Sequence, residues 1–214
     1  MEPVAALREE IERAASGHGL TCLGITSEPG LSRALIGTGP DFWPLFVDSP
    51  EYRDGKPDAL DRWSMRVLPD LAGGLGADDV SYPFGGPPYA PFIAWAFDSG
   101  ETFASPVGML VHGRAGFWIS FRGALVFEET IAPGPKPANP CPPCDAPCAI
   151  ACPVGALAPG QDYDVPSCKA HVASEAGRDC REGGCLVRRA CPVSQSFGRD
   201  PAQSAFHMTA FLGW

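Results

Sequence analysis

Eight of the nine cysteines in this 214-residue chain fall in its last third, in two blocks that each end in Cys-Pro-Val. The first block is Cys141, Cys144, Cys148 and Cys152-Pro153-Val154; the second is Cys168, Cys180, Cys185 and Cys191-Pro192-Val193. No other feature constrains the fold so much, because eight thiols in so short a stretch share loops and short helices. A [4Fe–4S] core takes four thiolates, so eight ligands match two clusters. Zinc held by four cysteines, at one site or two, is a second reading, although structural zinc favours paired C-x2-C knuckles and only Cys141–Cys144 has that spacing. Disulfides or free thiols are a third.

The remainder reads as globular. With 45% hydrophobic residues the chain can bury a sizeable core, most simply as one domain of ~140 residues with a small appended module. Its 25 glycines and 24 prolines predict much loop and turn. A formal charge of −9 lacks the Lys/Arg footprint of a nucleic-acid groove or an anionic-lipid surface, and suits a basic protein partner. No run reaches the roughly eighteen apolar residues that a membrane helix needs. The opening MEPVAALREEIERAASG is acidic and amphipathic, unlike a secretory signal. The expected location is cytoplasmic, where a dense cysteine cluster binds metal more often than it forms a disulfide framework.

Along the chain, Val4, Leu7, Ile11 and Ala14 or Ala15 recur at helical spacing and predict a helix over 3–16. Leu20 to Thr26 reads as a buried strand carrying Cys22, a packed core thiol. Residues 27–58 read as irregular. Their aromatic stretch Phe42-Trp43-Pro44-Leu45-Phe46 either covers a core edge or lines a pocket with residues 82–92. Leu60, Trp63, Val67, Leu68 and Leu71 predict a second helix kinked at Pro69. Three runs, Val107–His112, Gly116–Phe121 and Ala124–Phe127, predict an antiparallel meander with His112 at a strand end. Residues 131–140, with four prolines, read as a linker. Neither GxGxxG nor GxxxxGK[ST] is present. Arg181, Arg188 and Arg189 lie inside the second cysteine block, where they screen charge or meet an acidic partner. Residues 205–212 read as an apolar-faced helix that packs back on the main domain.

The first block has the spacing C-x2-C-x3-C-x3-C-P, and the second is a looser copy, Cys180-x4-Cys185-x5-Cys191-Pro192, with Cys168 sixteen residues beyond Cys152. This order resembles the ferredoxin-type iron–sulfur module of epoxyqueuosine reductases and corrinoid reductive dehalogenases over Cys141 to Val193. The resemblance implies that Cys141, Cys144, Cys148 and Cys191 hold one [4Fe–4S] cluster and that Cys152, Cys168, Cys180 and Cys185 hold the other. The gaps depart from the family's tighter triplet, with one residue added before Cys148. The region from Ser105 to Leu125 is weakly similar to that family's nitroreductase-like corrinoid-binding domain, and Asp98-Ser99 to an Asp-Ser whose acid donates a proton.

These readings combine into an α+β protein: a nitroreductase-like antiparallel sheet with helices over 1–130, a Pro-rich linker over 131–140, and a two-cluster ferredoxin-like module with a C-terminal helix over 141–214. The implied function is intracellular electron transfer, as a reductase or reductase component. Two [4Fe–4S] clusters would be its cofactors, and a corrinoid or flavin a further one. Its partners would be an electron-donor protein and a small-molecule substrate or corrinoid, with Asp98 the candidate catalytic residue. A binding or structural module whose cysteines hold zinc or form disulfides is the alternative.

Overall fold

A computed structural model of the chain describes residues 3–132 and 134–213. In chain order its regular elements are α1 (Pro3–Ser16), β1 (Leu20–Glu28), β2 (Leu31–Thr38), α2 (Phe42–Val47), α3 (Pro50–Arg53), α4 (Ala59–Leu75), β3 (Asp79–Ser81) and α5 (Phe92–Asp98). There follow β4 (Thr102–Ala104), β5 (Leu110–His112), β6 (Phe121–Phe127), a 3-10 turn (Pro147–Ile150), α6 (Val165–Ala173), α7 (Arg178–Gly183), α8 (Leu186–Ala190), α9 (Pro192–Phe197) and α10 (Pro201–Leu212). The mixed α+β class holds. Two compact units interleave along the sequence: Met1–Thr102 with Ser120–Pro137, and Phe103–Ile119 with Ala138–Trp214. The segment 131–140 therefore divides between them, and its Pro133 lies outside the described residues. Among the described residues no helix is long and apolar enough to cross a membrane.

Unit 1 is built on a four-stranded antiparallel sheet of order β1-β2-β6-β3. Cys22 stands opposite Ile36, Ala34 opposite Leu125, and Leu125 also opposite Val80. Its core therefore comes from stretches far apart in sequence. The helical spacing of α1 places Ile11 and Ala15 fully inside, while the side chain of Val4 lies outside the described residues. α4 buries Leu60, Trp63, Val67, Leu68 and Leu71 and continues through Pro69. Fully burying each such side chain contributes roughly 1.5–3 kcal/mol. Cys22 is fully buried, and loss of hydration pushes its thiol up to about 12, as a core thiol requires.

Charged pairs pin the helices to this core. Arg8 of α1 grips Glu101 through two hydrogen bonds of 2.7 and 2.9 Å, and the Glu101 side chain is 3% exposed. Arg122 of β6 donates to Ser64 Oγ on α4 at 2.9 Å and pairs with Asp61; burial draws its pKa down. Arg66 clasps Glu51 at 2.6 and 3.0 Å, and that contact holds the Glu51 carboxyl below its ordinary value near 4.5. A depressed carboxyl adds stability that is full above its unfolded pKa and is lost as pH falls through the folded one. Melting temperature is therefore expected to fall below about pH 4.5, and less steeply in Arg66→Ala; parallel pH titrations of thermal melting check this.

Several sequence expectations are corrected here. Residues 27–58 are not irregular: they contain β2, and the polar Ser32 inside it is buried because Ile131 N–H donates to its hydroxyl at 2.8 Å while the hydroxyl donates to Glu129 O at 2.8 Å. The three runs after residue 106 do not form one meander. β6 pairs with β2 and β3, β5 pairs with β4, and Gly116 makes only an isolated bridge to His112. The aromatics of 42–46 are core rather than a pocket wall. Phe42 and Phe46 are fully buried, their rings stack at 5.4 Å, and Trp63 meets Phe42 edge-on at 5.1 Å.

Unit 2 is a two-stranded ribbon, β4 with β5, and a set of short helices. Prolines set the helix lengths: Pro166, Pro192 and Pro201 stand in first turns, where a missing N–H costs nothing. Asp164 and Asp200 cap α6 and α10 by accepting from Ser167 N at 3.0 Å and Ala202 N at 2.8 Å. α10 lies against α7 and α6. Val107, Val111, Phe117, Leu157 and Val187 form an apolar cluster that takes in Cys148 and Cys191.

Candidate functional site: two thiol-lined cavities

The short elements of unit 2 deliver cysteines from distant positions to two places. Cys148 rides on the 3-10 turn, Cys168 on α6 and Cys180 on α7. Cys185 and Cys191 stand at the N-caps of α8 and α9. Pro192 ends α8 by removing a backbone donor and starts α9, which turns Cys191 back toward the first block.

The first cavity, of about 340 Å³, is lined by Cys141, Cys144, Cys148 and Cys191 together with Phe117 and Asp145. The second, of about 20 Å³, is lined by Cys152, Cys168, Cys180 and Cys185 together with His171 and Met208. The eight cysteines thus line two cavities in sets of four. All nine cysteines are free thiols. Burial, then the neighbouring Cys148, Cys191 and Cys144, push Cys141 up; burial and Cys191 do the same to Cys148. In the second set burial raises Cys168 and Cys180, and Cys185 adds to both. The Tyr163 hydroxyl hydrogen-bonds the Cys168 sulfur and opposes that rise. Clustered buried thiols resist ionisation in this way until a positive group offsets their mutual repulsion.

Two contacts hold the first cavity's wall in place. Ser194 of α9 accepts from Phe117 N at 2.8 Å, and the same serine packs on Gly116, where a Cβ would meet Ser194 N at 2.4 Å. Gly116 also has φ +57°, so two constraints select glycine there. The arginines of the second block act inside the unit rather than as a docking patch. Arg181 donates to Val172 O at 2.7 Å, Arg188 to Phe117 O at 2.5 Å, and Arg189 pairs with Asp179 at 2.7 Å.

Other singled-out residues fall elsewhere. Asp98 is exposed at the end of α5 in unit 1 and lines neither thiol cavity. His112 is fully buried, its Nδ1 accepting from Arg114 N and Ala115 N at 3.1 Å each, which gives it a turn-closing role. Tyr163, His171 and Met208 went unmarked in the sequence, because nothing local links them to cysteines supplied by other helices.

No protein-family model matches this chain, and no curated protein matches it either. Its structure is similar to that of the C. elegans B12-trafficking protein CblC, a human MMACHC homologue, with a TM-score of 0.47 and 14% identity over 97% of each chain. The resemblance to epoxyqueuosine reductases and corrinoid reductive dehalogenases is corrected: no protein-family model matches the chain, and so none supports their iron–sulfur module here. The two [4Fe–4S] clusters are corrected as well. Among the described residues no three or more His, Cys, Asp or Glu side chains gather as the grip on a metal ion requires. The electron-transfer role, the reductase assignment and the electron-donor partner that rested on those clusters go with them.

Proposed function

We propose that unit 2 is a thiol-lined small-molecule-binding module, with the first cysteine quartet at its binding cavity. The observation that carries this reading is the double convergence: four sulfurs around one cavity, and four others around a second. Because no three sulfurs close on one point, the first cavity suits a small molecule that spans it rather than a bare ion. The chain's own residues then do the rest. Cys191 and Cys152 each close a quartet begun by other segments, Tyr163 steadies the Cys168 sulfur, and Phe117 walls the first cavity from water.

In the same reading unit 1 is a nitroreductase-like scaffold, supported by its antiparallel sheet and flanking helices. A corrinoid enters only as a separate small-molecule partner, since a corrin macrocycle with its side chains outsizes a cavity of about 340 Å³.

Mass analysis of the small molecules released on denaturing full-length protein purified without oxygen tests the proposal. The expected result is a released molecule that Cys191→Ser removes and Cys168→Ser leaves. Release that Cys191→Ser does not change would refute it.

A further inference from the structure

Arg199 sits on the short link between α9 and α10, and its neighbours fix the backbone there. Gly198 closes α9 in a left-handed conformation, its N–H donating to Ser194 O at 3.2 Å, and Asp200 opens α10 by accepting from Ala202 N at 2.8 Å. The link lays the Arg199 guanidinium over the buried ring of Trp118, 5.2 Å from its centroid. That face attracts a cation but accepts no N–H in the plane of the fork. The Arg199 Nε is sealed from water without a hydrogen bond, and among the described residues no carboxylate or carbonyl accepts from this side chain. Burial, and then the like charge of Arg188, draw its pKa down to about 10, so the cation persists at neutral pH and its desolvation goes uncompensated. Arg188 gives one amino group to Phe117 O at 2.5 Å and makes no second hydrogen bond among the described residues. A methionine at 199 would cover Trp118 without burying a charge; what it lacks is donors.

From these unspent donors we infer that Arg199 and Arg188 form a binding site for a phosphate group. Each guanidinium is a planar fork that offers parallel N–H bonds to an oxyanion. A carboxylate has two oxygens and one charge, which one fork satisfies. A phosphate carries about two negative charges at neutral pH and three acceptor oxygens, so it can meet both forks and offset the repulsion between them. Arg199 as a residue is half-buried, so solvent still reaches the site. The chain's formal charge of −9 means that anions do not collect on it through general attraction, and selection rests on these two side chains. Neither arginine lines the thiol cavity, so this site stands apart from the one proposed above.

Isothermal titration calorimetry of the full-length protein with inorganic phosphate, and then with phenyl phosphate, at constant ionic strength tests this. Saturable binding is expected, weakened about tenfold to a hundredfold in Arg199→Met and in Arg188→Met, as the loss of charged hydrogen bonds requires. Arg178→Met, which removes an exposed arginine of α7 paired with Glu175, should bind as the wild type does. Arg199→Lys keeps the charge without the fork and should fall between the two, which keeps the test readable if Arg199→Met does not fold. Phosphate should also raise the melting temperature of the wild type and leave that of Arg199→Met unmoved. Equal affinity for phenyl phosphate would assign the group to a larger phosphomonoester, and binding of inorganic phosphate alone would assign it to the free ion. No saturable binding by the wild type at millimolar phosphate, or an affinity that neither Arg199 variant changes, would overturn the inference.

Discussion

Gly177→Ala is expected to destabilise unit 2 by about 3 kcal/mol, the upper end for overpacking a close contact, and to spread the second quartet. A Cβ at Gly177 would stand 1.9 Å from the His171 carbonyl oxygen and 2.8 Å from Val172 Cα. Both neighbours are backbone atoms of α6, so no side-chain rotation relieves the clash. α6 carries Cys168, and α7, which begins at Arg178, carries Cys180. Separating these two helices by even a fraction of an ångström moves half of the quartet. Urea unfolding reads the stability loss, and the rate of thiol labelling on the same sample reads the site. Gly74→Ala in α4 serves as the comparison, since a Cβ there meets nothing within 4 Å and its φ is not left-handed.

Arg8→Met should cost a comparable amount in unit 1, roughly 3–5 kcal/mol, because it strips both Arg8 hydrogen bonds from the buried Glu101 carboxylate. Two short hydrogen bonds to a side chain 3% exposed make this a desolvated pair, unlike the surface pairs such as Arg53 with Asp48. The double substitution Arg8→Met with Glu101→Gln should recover much of the loss, since a neutral amide is far less costly to bury than an unpaired charge. A double-mutant cycle by chemical denaturation measures the coupling. Additive single costs would show that the pair contributes no specific energy.

The parts of the fold that were legible in the sequence are those set by local periodicity. α1 and α4 announce themselves through apolar residues at three- and four-residue spacing, and β1 through a continuous buried run. What escaped depends on partners distant in sequence. β2 looks irregular because Ser32 and Arg33 interrupt it, and only Ile131 and Glu129, about a hundred residues on, make Ser32 acceptable inside. The supposed meander failed for the same reason: β6 pairs with β2 and β3 rather than with the run just before it.

At the site, the cysteine spacing and a family resemblance picked out two sets of four, and each set lines a cavity. The chemistry first attached to those sets was not legible in the same way. Spacing reports which thiols can meet, but not how closely, and among the described residues no three gather around a single ion. His171 and Met208 line the second cavity from α6 and α10, and Tyr163 meets the Cys168 sulfur from a loop. They share no spacing with the cysteines they accompany, so only the folded arrangement reveals them.

Native mass spectrometry of the full chain, purified without oxygen and compared with its denatured mass, tests the central claim most directly. A molecule held in the first cavity predicts a native mass above the denatured mass, with that excess missing in Cys191→Ser and kept in Cys168→Ser. Identical native and denatured masses in the wild-type protein would contradict the account, leaving two clusters of buried thiols that bind nothing.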